Sequence, residues 1–169
     1  IVFGDWSSDV CSSDLMDDVY GRQTTILIED VWAGSGEVDI FIASDGSIGD
    51  TGPGIGKRYR SSAEFTIDGS RKVALPGLVN THTHAAMTLL RGFADDMPLQ
   101  DWLTEKIWPL EAHLTGEDVY RGTKLGCLEM IRTGTTAFND MYFYMEDAAR
   151  AVDETGIREI GRASCRERV

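Results

Sequence analysis

Residues Ala74–Arg91 read ALPGLVNTHTHAAMTLLR. Within them Leu75–Val79 is a short apolar run, interrupted by Pro76 and Gly77, whose length and punctuation predict a buried strand. The run ends in Asn80-Thr81-His82-Thr83-His84. Alternate residues of a strand point the same way, so His82 and His84 are expected to project together from its C-terminal end. Two imidazoles side by side are a ready pair of ligands for a divalent metal such as zinc. Taken alone, a bare His-x-His is more often two surface histidines in a loop.

The flanking sequence supplies the setting. On the N-terminal side, Thr24–Asp30 (TTILIED), Glu37–Ala43 (EVDIFIA) and Ala63–Asp68 (AEFTID) are strand-like, with Ser44-Asp45-Gly46-Ser47 as a hairpin turn. Several short strands without helices predict a small β module. Gly52-Pro53-Gly54-Ile55-Gly56-Lys57 lacks the Walker spacing and its Ser/Thr, so it reads as a flexible surface loop rather than a phosphate cradle. On the C-terminal side, Ala85–Phe93 is expected to start helical. Leu99–Ile107 (LQDWLTEKI) has the spacing of a short amphipathic helix that Pro109 ends.

Thr115, with Asp118 three residues on, caps a longer helix whose buried face is expected from Val119, Leu125, Leu128 and Ile131. Gly134 suits its C′ position. Thr135–Met141 (TTAFNDM) is a second strand, Met145–Glu154 a helix closed by Gly156, and Ile157–Glu159 the start of a third strand. Alternation of strand and helix predicts parallel βα units.

LPGLVNTHTH followed by AAMTLLRG resembles the first barrel strand and following loop of the amidohydrolase superfamily. The likeness runs from about Thr24 to Glu159. It is nearest to the branch holding methylthioadenosine/S-adenosylhomocysteine deaminases and the triazine chlorohydrolases. The resemblance implies an α/β fold: the N-terminal part of a metal-dependent hydrolase (β/α)8 barrel, preceded by half of a small β-sandwich. His82 and His84 become two ligands of one divalent metal, zinc or else ferrous iron, joined in complete members by a later histidine and aspartate. The implied chemistry is that a bound divalent ion would lower the pKa of water to near neutrality, supplying a hydroxide for attack on the carbon that bears the departing amino group.

Glu111, in IWPLEAHL, resembles the glutamate that binds ribose hydroxyls in nucleoside deaminases; the plain alternative is a solvated helix carboxylate. No other catalytic residue is expected within the chain. Asp140, at the end of the second strand, is read either as orienting a ligand histidine by a hydrogen bond or as structural. Trp102 is read either as walling the base-binding pocket or, better matched by its helical spacing, as core packing; Cys127 fits inert packing, and His113 is expected to be exposed. The implied activity is hydrolytic deamination of an adenosine-type nucleoside such as 5′-methylthioadenosine or S-adenosylhomocysteine. The alternatives are a guanine deaminase, a triazine (chloro)hydrolase, or a non-catalytic binding homologue.

The ends read differently. Asp5–Leu15 (DWSSDVCSSDL) and Ile160–Val169 (IGRASCRERV) match what sequencing-adapter oligonucleotides would encode if read in frame, and are expected to be adapter-derived. The expected organisation is therefore an adapter-derived tail over 1–15, a partial β-sandwich over 16–73, the first βα units of a barrel over 74–159, and a second adapter-derived tail over 160–169. A complete (β/α)8 barrel needs roughly 250 residues, so the segment is expected to be truncated and inactive alone.

The formal charge is −12; the tails hold three aspartates, one glutamate and three arginines, which leaves −11 on residues 16–159. Such a chain repels phosphate backbones, which argues against a nucleic-acid partner and for a small-molecule nucleoside or heterocyclic amine. Cys11 and Cys165 fall in the tails, so Cys127 stands alone. That offers no disulfide framework and fits a reducing cytoplasm. No apolar run approaches membrane-spanning length, so no membrane partner is expected.

Overall fold

The structure is a computed structural model describing Val2–Phe3 and residues 24–163. It separates into two compact units, divided after Pro76. The expected adapter-derived tails lie mostly outside the described residues. Of these tails, Val2–Phe3 forms a short strand, and residues 160–163 continue the last described strand.

The first unit is a mixed sheet. Strands β2 (Ile26–Ala33), β3 (Gly36–Ile42) and β4 (Ile48–Gly52) form an antiparallel meander. Strand β5 (Phe65–Asp68) lies parallel to β2, as does β6 (Val73–Ala74), and β1 (Val2–Phe3) is antiparallel to β6. β2 continues past the expected Asp30 because that residue takes φ 58° and opens a bulge, the register moving from Ile28↔Ile40 to Val31↔Val38. The buried Asp39 closes the bulge: its Oδ1 accepts from Asp30 N at 2.9 Å and its Oδ2 from Gly56 N at 2.7 Å. The stretch expected as a flexible surface loop is therefore tied down, with Gly56 buried at the start of helix α1 (Gly56–Tyr59). In the β3–β4 turn Gly46 alone takes a positive φ, while Asp45 Oδ1 accepts from Ser47 N at 2.9 Å.

The second unit holds β7 (Leu78–Thr83), β8 (Thr135–Tyr142) and β9 (Arg158–Ala163), hydrogen-bonded side by side and all parallel. β7 is followed by a 3₁₀ helix, Ala85–Leu90. Next comes α2, built from Leu99–Asp101, a π-helical stretch Trp102–Ile107, and Trp108–Glu111. Pro109 does not end this helix as its sequence position suggests. It lacks an N–H and would crowd the carbonyl four residues back, and the wider π turn just before it relieves both problems. The helical path therefore continues to Glu111.

Helix α3 (Gly116–Arg132) starts with the capping box read from the sequence, Thr115 Oγ1 accepting from Asp118 N at 3.3 Å and Asp118 Oδ2 accepting from Thr115 N at 2.9 Å. Gly134 and Gly156 both take positive φ after their helices, as expected, and α4 (Met145–Thr155) leads to β9.

Of the four residues expected on the buried face of helix α3, Val119 is buried, but the other three are not. Val119, Gly122, Thr123, Gly126 and Cys127 are buried, whereas Leu125, Leu128 and Ile131 are 40–46% exposed. The small side chains let α3 lie almost on the backbone after β7: a Cβ added at Gly122 would sit 2.5 Å from the Ala86 carbonyl oxygen. Two core clusters result. One gathers Ala85, Cys127, Phe138, Val152 and Ile157; the other gathers Ala86, Val119, Tyr142 and Ala148. Burying a side chain such as Phe138 contributes about 2–3 kcal/mol. β7 itself departs from expectation, since Leu78 and Val79 are 57% and 64% exposed rather than buried. Among the described residues β7 is an edge of this sheet and pairs with β8 alone. No helix of the described residues is long and apolar enough to cross a membrane.

Glu159, on β9, carries a stability prediction. Its Oε1 is buried without a hydrogen-bond partner, and burial, with the Asp140 charge second, pushes its carboxyl up to about 7. The unfolded chain releases this proton at the ordinary glutamate pKa, whereas the folded chain holds it until about pH 7. Stability therefore falls as pH rises from about 4.5 to 7 and is level above that, a loss of at most about 3 kcal/mol that solvent screening of this half-buried group lowers. Urea midpoints of the 169-residue chain at pH 5 and pH 8 should show the drop, and Glu159→Gln should flatten it.

Candidate active site

The site is built on the C-terminal ends of β7 and β8. His82 lies in β7 and His84 just beyond it, with ring centroids 5.0 Å apart and the rings at 79°. The two-residue spacing thus brings both imidazoles together at a strand end. His84 Nδ1 lies 2.6 Å from the Met141 carbonyl oxygen. A carbonyl only accepts, so Nδ1 carries the proton and the Nε2 lone pair is left available. A histidine whose other ring nitrogen donates to a backbone carbonyl is prepared in the way that ligating histidines are. The donor set, neutral imidazole nitrogen, suits zinc or ferrous iron. Among the described residues no cluster of three or more His, Cys, Asp or Glu side chains is placed to hold a metal ion.

Asp140 does not bond a histidine ring. It is fully buried, and its Oδ1 accepts from Ala85 N at 3.2 Å and Met141 N at 2.8 Å. It thereby fixes the backbone on both sides of the His84 contact: the residue after His84, and the residue whose carbonyl holds the imidazole. Burial raises its carboxyl above the usual aspartate range, against the lowering effect of the two amides and of His84 and His82.

Glu111, at the end of α2, is half-buried and accepts from the Tyr142 hydroxyl at 2.9 Å. Tyr142 is itself buried, and its ring centroid lies 6.1 Å from that of His84. The sequence reading missed this tyrosine. The available signal was its place two residues beyond Asp140, on the same face at the functional end of the strand.

The other candidates stand apart. His113 is exposed. Cys127 is a free, fully buried thiol whose pKa burial pushes up. Trp102 is half-buried rather than core. Its Nε1 donates to the Phe93 carbonyl at 3.3 Å, and its ring lines an open cleft of about 540 Å³ with Met87, Phe93 and Met97.

The profile of the amidohydrolase family matches residues 73–168. The chain belongs to the amidohydrolase family. Among its amidohydrolase relatives, the 5′-deoxyadenosine deaminase of Methanoregula boonei is 63% identical over 159 residues, covering 89% of this chain and 36% of the relative. The 5-methylthioadenosine/S-adenosylhomocysteine deaminase of Dictyoglomus thermophilum is 66% identical over 95 residues, covering 56% of this chain and 22% of the relative. A crystal structure of an adenosine deaminase from Xanthomonas campestris with bound zinc superposes with a TM-score of 0.70 at 36% identity. That match covers 80% of this chain and 33% of the other. The chain spans about a third of the length of the curated relatives it matches most fully.

Proposed function

We propose that the segment belongs to a metal-dependent amidohydrolase that hydrolytically deaminates an adenosine-type nucleoside. Relatives named as deaminases of 5′-deoxyadenosine and of methylthioadenosine/S-adenosylhomocysteine support this reading. In the proposed architecture β7, β8 and β9 are the first three strands of a (β/α)8 barrel, and the N-terminal sheet is half of a β-sandwich. The exposed apolar β7 residues Leu78 and Val79 suit a strand that further barrel elements cover.

His82 and His84 are the residues that would hold the metal, with zinc favoured by the zinc-bound neighbour. When bound, such an ion supplies a water with a pKa near neutrality. The reaction forms a C–O bond at the carbon bearing the amino group, breaks its C–N bond and releases ammonia. The chain's own residues prepare it. The Met141 carbonyl holds the His84 tautomer, Asp140 holds that carbonyl and the backbone after His84, and Glu111 accepts from the ribose hydroxyls.

The observation that carries the nucleoside reading is the Tyr142–Glu111 hydrogen bond, which brings the Glu111 carboxylate to the strand end shared with the histidines. Hydrogen bonds to a charged acceptor contribute about 1.5–3 kcal/mol each. In the full-length enzyme, Glu111→Ala is therefore expected to lower kcat/KM for the nucleoside about 100-fold while changing its 2′,3′-dideoxy analogue less than about twofold. An ammonia-release assay on both substrates reads this directly. Equal losses on the two would show that Glu111 does not serve the ribose.

A further inference from the structure

Strand β8 ends in three consecutive residues that each hold a different part of the site. Asp140 clamps two backbone amides, the Met141 carbonyl accepts from His84 Nδ1, and the Tyr142 hydroxyl donates to Glu111 Oε1. Tyr142 sits in a core cluster with Ala86, Val119 and Ala148, where a phenylalanine would fill the space without needing a partner. Its hydroxyl finds one in a carboxylate 31 residues away in the chain. Glu111 Oε2 accepts nothing among the described residues, so the carboxylate keeps lone pairs for a ligand while one oxygen is pinned. The Tyr142 hydroxyl is the donor of this pair and the Glu111 carboxylate oxygen the acceptor.

We propose that Tyr142 is a positioning residue for ribose specificity: by holding Glu111 Oε1 it sets the offset between the imidazole pair and the carboxylate that takes the sugar. The proposal rests on the reading of Glu111 as the ribose acceptor. Half-buried, at the end of a helix that contains a π turn, Glu111 has no other side-chain hydrogen bond among the described residues to choose its rotamer. Without the tyrosine the carboxylate samples several rotamers, and the nucleoside bears the ordering cost on binding.

The test uses the full-length enzyme, an adenosine-type nucleoside and its 2′,3′-dideoxy analogue. Tyr142→Phe keeps the ring and removes the hydroxyl. It is expected to raise KM for the nucleoside about tenfold, leave kcat and metal content within about twofold, and leave the dideoxy analogue unaffected. Added to Glu111→Ala it should cost nothing further, because the two act as one unit. Ring-fluorinated tyrosines at position 142 keep the packing and strengthen the O–H donor, so KM should vary in order of donor strength even if the phenylalanine variant folds poorly. A KM flat across that series, or a Tyr142→Phe loss shared equally by both substrates, overturns the positioning role. If Glu111→Ala itself fails to separate the two substrates, it is the ribose reading that falls.

Discussion

Replacing His82 or His84 by alanine in the full-length enzyme is expected to strip the metal and lower kcat/KM by at least about a thousandfold. The two rings stand 5.0 Å apart at one strand end, and the Met141 carbonyl holds His84 Nδ1 so that Nε2 is the free donor. If the pair holds the metal as proposed, removing either imidazole takes away a ligand that no neighbouring described side chain replaces, since the described residues contain no cluster of three or more metal-type groups. His84→Ala also leaves the Met141 carbonyl without its ring partner. Elemental analysis of the purified variants and an ammonia-release assay check the two halves together. A variant that keeps wild-type metal content would show that the pair is not the metal site. On the same grounds the 169-residue chain alone, with only the His82/His84 pair of its three histidines placed as candidate ligands and about a third of its relatives' length, is expected to release no ammonia.

Asp140→Ala is the second large effect, and it acts through backbone rather than through a ring. The buried Oδ1 accepts from Ala85 N and Met141 N, so its removal strands two amide donors in the interior. Each unsatisfied buried donor costs about 1–3 kcal/mol, which makes a destabilisation of about 3–5 kcal/mol the expected result. Met141 would shift at the same time, loosening the carbonyl that holds His84, so metal affinity should fall about 10- to 100-fold. Asp140→Asn retains an acceptor oxygen for both amides and should recover most of the stability. Urea denaturation and metal titration of the two variants decide the matter. An alanine variant as stable as the wild type would mean that Asp140 does not brace the strand end.

Much of this site was legible before any coordinates. The His82/His84 pair follows from strand periodicity, because a two-residue spacing admits no other relative direction on an extended chain. The Thr115–Asp118 cap and the helix-terminating glycines Gly134 and Gly156 are equally local, each depending on contacts or φ angles within a few residues. What local rules mis-stated were faces and partners. Leu125, Leu128 and Ile131 of α3 look like its core side, yet apart from Val119 the buried face is the one of small residues. Close approach to the Ala85–Ala86 backbone demands small side chains there, and nothing within α3 itself announces that neighbour. Pro109 reads as a stop, yet the π turn before it carries the helix on to Glu111.

The sequence by itself determined the strand-and-helix order of the second unit, the paired imidazoles and the family resemblance, because each is written in residues adjacent in the chain. Only the tertiary structure decided that Asp140 braces amides instead of an imidazole, that Met141 lends a carbonyl to His84, and that Tyr142 reaches Glu111. Those contacts join residues 31 to 57 positions apart, apart from the bond of Asp140 to its neighbour Met141. Their partners are selected by the lateral register of β7 against β8 and by the path of α2, and neither is a property of any single stretch.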